Sequence, residues 1–379
     1  MGSVFETLGV RPVINSSGVY TDLGGSRISP EVWAAMTEMN ERWVRMPDLL
    51  DRSGEILAEH VGAESARVTP GAAAAIMLGI AACMTGKDGK AWEQLPDTSG
   101  LRDEVVIQAT HRYKYDRQAW MTGARRVEVG TADGTDPEQL GEVLGDRTAA
   151  ILHPGHLDGV GGSLPLESVA EIAHARDIPI FVDAAYLNYP TSVMRSFVAR
   201  GADLLCFSAK YFGGPNAGGF VAGRRDLIEA IAGIDFTRYE SGEFRTFGRP
   251  LKLDRQIVAG VVLALEAWLS MDHEARFASY AARVEEMGRR LGAIAGVSHR
   301  PMFFTMDERL VDPQPTNCLV VELDAAEGRS AESIAEDLAE GEPSIVCVVE
   351  RRRLVFAVDA MNDDEAAATG ERLRAVLAG

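Results

Sequence analysis

Between about residues 50 and 250, short apolar runs alternate with helical stretches, and that alternation restricts this chain more than any other feature. Strand-like runs fall at Glu104–Gln108, Arg126–Val129, Ala149–Leu152, Ile178–Asp183, Leu204–Phe207 and Gly219–Ala222. Helical periodicity occupies Leu49–Val61 and Ala72–Met84, and then Tyr113–Met121, Pro137–Leu144, Leu166–Ala175 and Asp226–Ala232. Strand and helix in alternation predict an α/β large domain with a mostly parallel sheet covered on both faces. In such sheets ligands bind at the carboxyl ends of the strands.

Two side chains of chemical interest fall at such ends. Asp183 closes the run Ile178-Pro-Ile-Phe-Val-Asp183, and Lys210 follows Leu204-Leu-Cys-Phe-Ser-Ala just before a Gly-Gly-Pro turn. A lysine there is presented to a cleft, because the apolar residues on both sides count against a surface position. This pair suits pyridoxal 5'-phosphate (PLP): the lysine forms the Schiff base, and the aspartate keeps the pyridine nitrogen protonated so that the ring absorbs electrons.

Further candidates gather around the pair. Thr69-Pro-Gly71-Ala72-Ala73 opens a small-residue helix whose free N–H groups suit a phosphate dianion. Taken alone, that helix reads as tightly packed core; beside Asp183 and Lys210 it reads as a phosphate site. Ala185 would let a flat ring lie against the protein, and His111 would stack on the opposite face. Ser208 is a candidate phosphate donor and His153 a candidate substrate contact. The spacing His153-Pro-Gly-His156 lacks carboxylate or cysteine partners, so no metal site is expected.

Outside this region, residues 1–45 read as an N-terminal arm, 46–255 as the PLP-binding domain, and 256–379 as a small α+β domain that includes a long linking helix. Residues 86–102 are the most loop-like stretch. The net charge of −18 argues against a phosphate-backbone partner. The four cysteines form no C-x-x-C pair and lie in apolar contexts. With neither signal-peptide character nor a bilayer-length apolar run, a soluble cytoplasmic protein without membrane contact is expected.

The segments Asn15-Ser-Ser-Gly, Leu23-Gly-Gly-Ser26, Thr69-Pro-Gly-Ala-Ala-Ala-Ala, Val182-Asp-Ala-Ala185, Phe207-Ser-Ala-Lys-Tyr-Phe-Gly-Gly-Pro and Gly248-Arg-Pro-Leu-Lys252 resemble the bacterial selenocysteine synthase (L-seryl-tRNA selenium transferase)-like group. That group includes the D-glucosaminate-6-phosphate ammonia-lyases and lies within fold-type I of the PLP enzymes, the aspartate aminotransferase-like superfamily. The resemblance implies a seven-stranded sheet in the large domain, Lys210 as Schiff-base lysine, Asp183 at the ring nitrogen, His111 stacking, and an active site at the interface of a homodimer or larger homo-oligomer. It also implies that the segment carrying Arg249 reaches the site. The chain departs from the group in two places. Ser208-Ala-Lys210 is one residue shorter than the usual Ser-Gly-Gly-Lys, and Val358-Asp359-Ala-Met stands where many fold-type I enzymes place a carboxylate-binding arginine. Arg27 and Arg249 are the candidate substitutes.

The acidic balance opposes docking of a tRNA, and Cys318 and Cys347 look too buried for desulfurase chemistry. The expectation is therefore an α,β-elimination of ammonia-lyase type on a small amino acid. Transamination and racemisation are the alternatives, as is a fold-type I binding subunit that has lost catalysis.

Overall fold

The computed structural model of the chain describes residues 3–304, 313–324 and 329–378. It divides into two compact units, residues 28–269 and residues 1–27 together with 270–379. The sequence reading draws its boundaries at 45 and 255. In the structure the long helix Arg255–Ser270 falls almost wholly within the larger unit.

The larger unit is built on a seven-stranded sheet. Its strands lie in the order Ser65–Thr69, Gly219–Gly223, Leu204–Ser208, Ile180–Asp183, Thr148–Pro154, Glu104–Gln108, Arg125–Val129. All neighbouring pairs are parallel except those of Gly219–Gly223, which runs antiparallel to both of its partners. The central strands are apolar on both faces because helices cover both. Val105, Ile107, Ile180, Phe181, Val182, Leu204 and Leu205 are all fully buried.

The helix Gly71–Thr85 shows why alanine and glycine dominate its sequence. A Cβ on Gly79 would stand 2.2 Å from Cε2 of Phe181, so the helix axis can approach the sheet only without that side chain. The helix is thus a tightly packed core element, and its N-terminus is carried to the carboxyl end of the sheet.

Two local expectations are corrected. The stretch 86–102 is not all loop: Gly89–Gln94 is a short helix capped by Asp88, with Trp92 donating its indole N–H to the Gly86 carbonyl at 2.9 Å. The helix expected over Tyr113–Met121 shrinks to Arg117–Trp120. Residues upstream of it leave a 3-10 turn at Ala109–His111, and Tyr113 is anchored elsewhere by its hydroxyl.

The smaller unit is α+β. Its five-stranded sheet runs Ile14–Ser16, Ile345–Glu350, Arg353–Ala357, Cys318–Leu323, Val297–Met302, with helices His273–Leu291, Ala331–Glu340 and Asp363–Ala378. The first strand belongs to the N-terminal arm, which pairs in parallel with Ile345–Cys347.

Candidate active site

Asp183 is the last residue of its strand and lies opposite Cys206 of the neighbouring parallel strand. Four residues beyond Cys206, Lys210 sits half-buried in the turn Ala209–Phe212. The two expected residues therefore leave adjacent strands at the same end of the sheet. The Lys210 Nζ lies 4.9 Å from the centroid of the Tyr211 ring. Asn188, 6% exposed, ties down the same turn by donating its amide to the Tyr211 carbonyl at 2.5 Å, and its own carbonyl accepts from the Trp268 indole at 3.0 Å. Sequence reasoning missed Asn188; its position five residues after a strand-end aspartate is the only signal the sequence offers.

The Asp183 carboxylate is well supplied with donors. Oδ1 accepts from the Ala185 N–H at 3.1 Å and faces the Cys206 thiol at 3.6 Å. Oδ2 accepts from the Tyr113 hydroxyl at 2.5 Å. Burial, reinforced by the charge of Asp183, raises the Tyr113 phenol far above its ordinary range and so keeps it protonated. The Cys206 thiol is raised by the same two causes. Tyr113 was not among the expected site residues, and the periodicity of its segment pointed to a helix instead.

A third group lies along the same strand ends. Thr69 and Ser208 end their strands on either side of Gly219 and pair with it in the ladder. Gly219 in turn backs onto Gly71, the first residue of the helix Gly71–Thr85, which has no side-chain cap. A Cβ on Gly219 would lie 2.8 Å from Gly71 Cα and 2.6 Å from the Phe207 carbonyl oxygen, whereas one on Gly71 would meet only the Gly218 carbonyl oxygen, at 4.0 Å. The uncapped first turn, with Ala73 exposed and Ala72 buried, and Ser208 beside it thus form a cradle open to an anion.

Two expected residues do not face the site. His111 and His153 have no exposed surface, and their rings meet edge to face with centroids 4.7 Å apart. His111 Nε2 donates to the Leu157 carbonyl at 3.1 Å, and its Nδ1 lies 3.5 Å from the Gln108 amide nitrogen. Burial and then the neighbouring His153 push the His111 pKa down to about 3, so the ring is neutral. A ring that stacks on a ligand must present a face to it, and His111 presents none. His153 is likewise held inside the fold. Its Nε2 lies 3.1 Å from Asp158 Oδ1, and Arg200 bonds the other carboxylate oxygen at 2.5 Å. Burial alone would raise the Asp158 pKa, but the bonds from His153 and Arg200 hold it well below the usual carboxylate range. The rings with partial exposure near Asp183 are Tyr113, His156, Tyr186 and Tyr211, in contact one after another at centroid distances of 5.4, 5.6 and 5.9 Å.

The two candidate arginines are engaged. Arg249 pairs with Glu240 at 2.9 Å and lies over the Tyr239 ring. Arg27, in the smaller unit, pairs with Glu365 at 2.7 Å. Among the described residues no cluster of His, Cys, Asp and Glu could hold a metal, and no helix is long and apolar enough to cross a membrane.

These residues fit PLP. A carboxylate offers about four acceptor positions, and three donors on Asp183 leave one for a ring nitrogen. Gly71, Ala72, Ala73 and Ser208 would receive the phosphate, Ala185 would lie against the ring, and Lys210 would supply the amine. With this strand order, a fold-type I PLP-dependent enzyme is defined.

Comparison with known proteins narrows the class. Residues 13–279 match the family model of L-seryl-tRNA selenium transferase. The chain is 31% identical over 358 residues to the 5'-C-glycyluridine monooxygenase-decarboxylase of a Streptomyces species, spanning 90% of this chain and 83% of that protein. It is 30% identical over 301 residues to the D-glucosaminate-6-phosphate ammonia lyase of Salmonella typhimurium, spanning 78% of this chain and 77% of the relative. A solved structure of a D-glucosaminate-6-phosphate ammonia-lyase superposes with a TM-score of 0.86 at 27% identity, covering 100% of this chain and 99% of the other. The chain belongs to the L-seryl-tRNA selenium transferase family.

Proposed function

We propose that the chain catalyses an α,β-elimination of ammonia-lyase type on a small amino acid, with Lys210 as the base that removes the α-proton. The observation that carries this reading is the exit of Asp183 and Lys210 from adjacent parallel strands, beside an uncapped helix start. PLP, when bound, supplies an electron sink for the carbanion at Cα. Asp183 would hold the ring-nitrogen proton, and Gly71, Ala72, Ala73 and Ser208 would seat the phosphate. Lys210 Nζ would serve as the base for the α-proton, the electron pair of the broken C–H bond forming the Cα–Cβ double bond as the β-substituent departs with its own bonding pair. The half-buried tyrosines limit the entry of water. The net charge of −18 supports a small substrate over a tRNA.

The test is a panel of amino acids and amino sugars assayed for ammonia and 2-keto acid. Release of both supports the elimination, whereas amino-group exchange onto an added keto acid or loss of optical activity alone would replace it with transamination or racemisation. Borohydride reduction should fix the cofactor to Lys210, and purified protein that takes up no PLP would leave only a non-catalytic role.

The 31% identity over 90% of the chain to the Streptomyces monooxygenase-decarboxylase supports a second reading, oxidative decarboxylation of an amino acid. Oxygen uptake matched by carbon dioxide release, with no keto acid from an eliminated substrate, would favour it. We also infer a homo-oligomer, supported by exposed Trp33 (59%) and Trp43 (88%); sedimentation showing a monomer would overturn that.

A further inference from the structure

We propose that Tyr113 is a positioning residue that acts through Asp183, holding the carboxylate in one orientation and sharing Oδ2 with the ring nitrogen of the cofactor. This rests on the reading of Asp183 as the partner of that nitrogen. The donor arrangement carries the argument. Asp183 is 6% exposed, so each of its lone pairs must be met within the fold or by a ligand. Oδ1 is taken by the Ala185 N–H and the Cys206 thiol, both from the two strand ends that frame the site. Among the described residues Oδ2 has a single donor, the Tyr113 hydroxyl at 2.5 Å. One acceptor position is left, and it lies on the oxygen that Tyr113 already steers.

Two features separate this contact from ordinary packing. Tyr113 reaches Asp183 across 70 residues of sequence from a segment that is neither helix nor strand. The hydroxyl adds a polar tie from that segment to the strand end, beside the packing of the ring on the core. Burial and the adjacent carboxylate also keep the phenol protonated, so it serves only as a donor toward Oδ2. The ring meanwhile packs edge-on against His156 at 5.4 Å, a contact that phenylalanine would preserve.

The experiment titrates cofactor-free protein with pyridoxal 5'-phosphate and follows the visible band across pH. It uses the wild type, Tyr113→Phe, Asp183→Asn and the double variant. Losing a hydrogen bond to a charged group should weaken PLP retention about tenfold in Tyr113→Phe and displace the pH midpoint of the band. In the Asp183→Asn background the same change should cost less than about twofold, because the neutral amide no longer offers the ring nitrogen the carboxylate that Tyr113 orients. A Tyr113→Phe protein with unchanged affinity and unchanged pH midpoint overturns the proposal, as does an equal loss in both backgrounds. Thermal melting of the cofactor-free proteins monitors folding. Should Tyr113→Phe not fold, 3-fluorotyrosine at position 113, a stronger donor of nearly the same shape, should tighten retention, and no tightening would count against the proposal. A wild-type protein that takes up no PLP would instead refute the proposed function, so the two failures are distinguishable.

Discussion

Replacing Gly219 by alanine tests whether the cofactor cradle is built from close backbone approach. Gly219 begins the antiparallel strand and pairs with Thr69 on one side and Ser208 on the other. A methyl group there would lie 2.6 Å from the Phe207 carbonyl oxygen and 2.8 Å from both Cα and C of Gly71. Ordinary contacts between such atoms begin near about 3.5 Å, so the backbone must yield by most of an ångström. All three obstructing atoms are main chain, and none can swing aside as the end of a side chain would. Overpacking of this kind costs about 1–3 kcal/mol, and at about 2–4 °C per kcal/mol for a unit of this size the melting temperature should fall by about 2–12 °C. The displaced element is the first turn of the helix Gly71–Thr85, so PLP affinity should fall as well, by about tenfold if roughly 1.4 kcal/mol of the phosphate interaction is lost. Differential scanning fluorimetry and an absorbance titration with PLP measure the two effects. A Gly219→Ala protein that melts with the wild type and binds PLP within a factor of about two would refute the argument that the cradle depends on this approach.

Other perturbations probe the rest of the unit. Lys210→Ala should abolish the borohydride-stable adduct and the visible band while leaving the melt of the cofactor-free protein near that of the wild type; an adduct on another lysine would displace Lys210 from its role. Arg67 and Asp235 form a buried ion pair, with side chains 4% and 6% exposed and Nη2 2.6 Å from Oδ2. Arg67→Met removes the cation from Asp235 Oδ2, leaving the Thr237 bonds to Oδ1, and should cost about 3–5 kcal/mol in urea unfolding; a loss below about 1 kcal/mol would show that the carboxylate finds another cation. The His111 pKa falls from 6.5 to about 3 on folding, so the unfolded chain takes up this proton at the higher pH. The stability that neutral His111 contributes is complete above pH 6.5 and is lost as the pH drops toward 3. Relative to its own value at neutral pH, His111→Gln should therefore lose less melting temperature on acidification than the wild type does; parallel curves would contradict the assignment.

Much of the fold was legible along the chain, and particular elements show why. The run Glu104–Gln108 appears with its expected bounds, because a buried strand of a parallel sheet needs an unbroken apolar segment and polar flanks interrupt it sharply. The strand Ser65–Thr69 escapes sequence reasoning: it carries Arg67, whose charge breaks the apolar pattern and is compensated by Asp51 and by the buried Asp235, 168 residues away. Strand-end residues such as Asp183 stand out because a carboxylate at the end of an apolar run must find either water or a partner where the strand emerges from the sheet.

Roles of histidine were harder to read than positions of strands. His111 and His153 each follow or end an apolar strand, as a cofactor-facing residue would, yet both turn inward and contact each other. Sequence locates a side chain along the chain but not the direction in which a turn points it. Tyr113 illustrates the converse: nothing local marks it, and only the folding of distant strands brings its hydroxyl to Asp183.

The sequence by itself determined the alternating architecture, the cofactor class and the lysine–aspartate pair, because burial periodicity and strand-end charge are properties of short segments. Tertiary structure alone decided which aromatic residue meets Asp183, which histidines are interior, and how Gly219 seats the helix against the strands. Those outcomes depend on distances between segments far apart in sequence, where a few tenths of an ångström separate a contact from a clash.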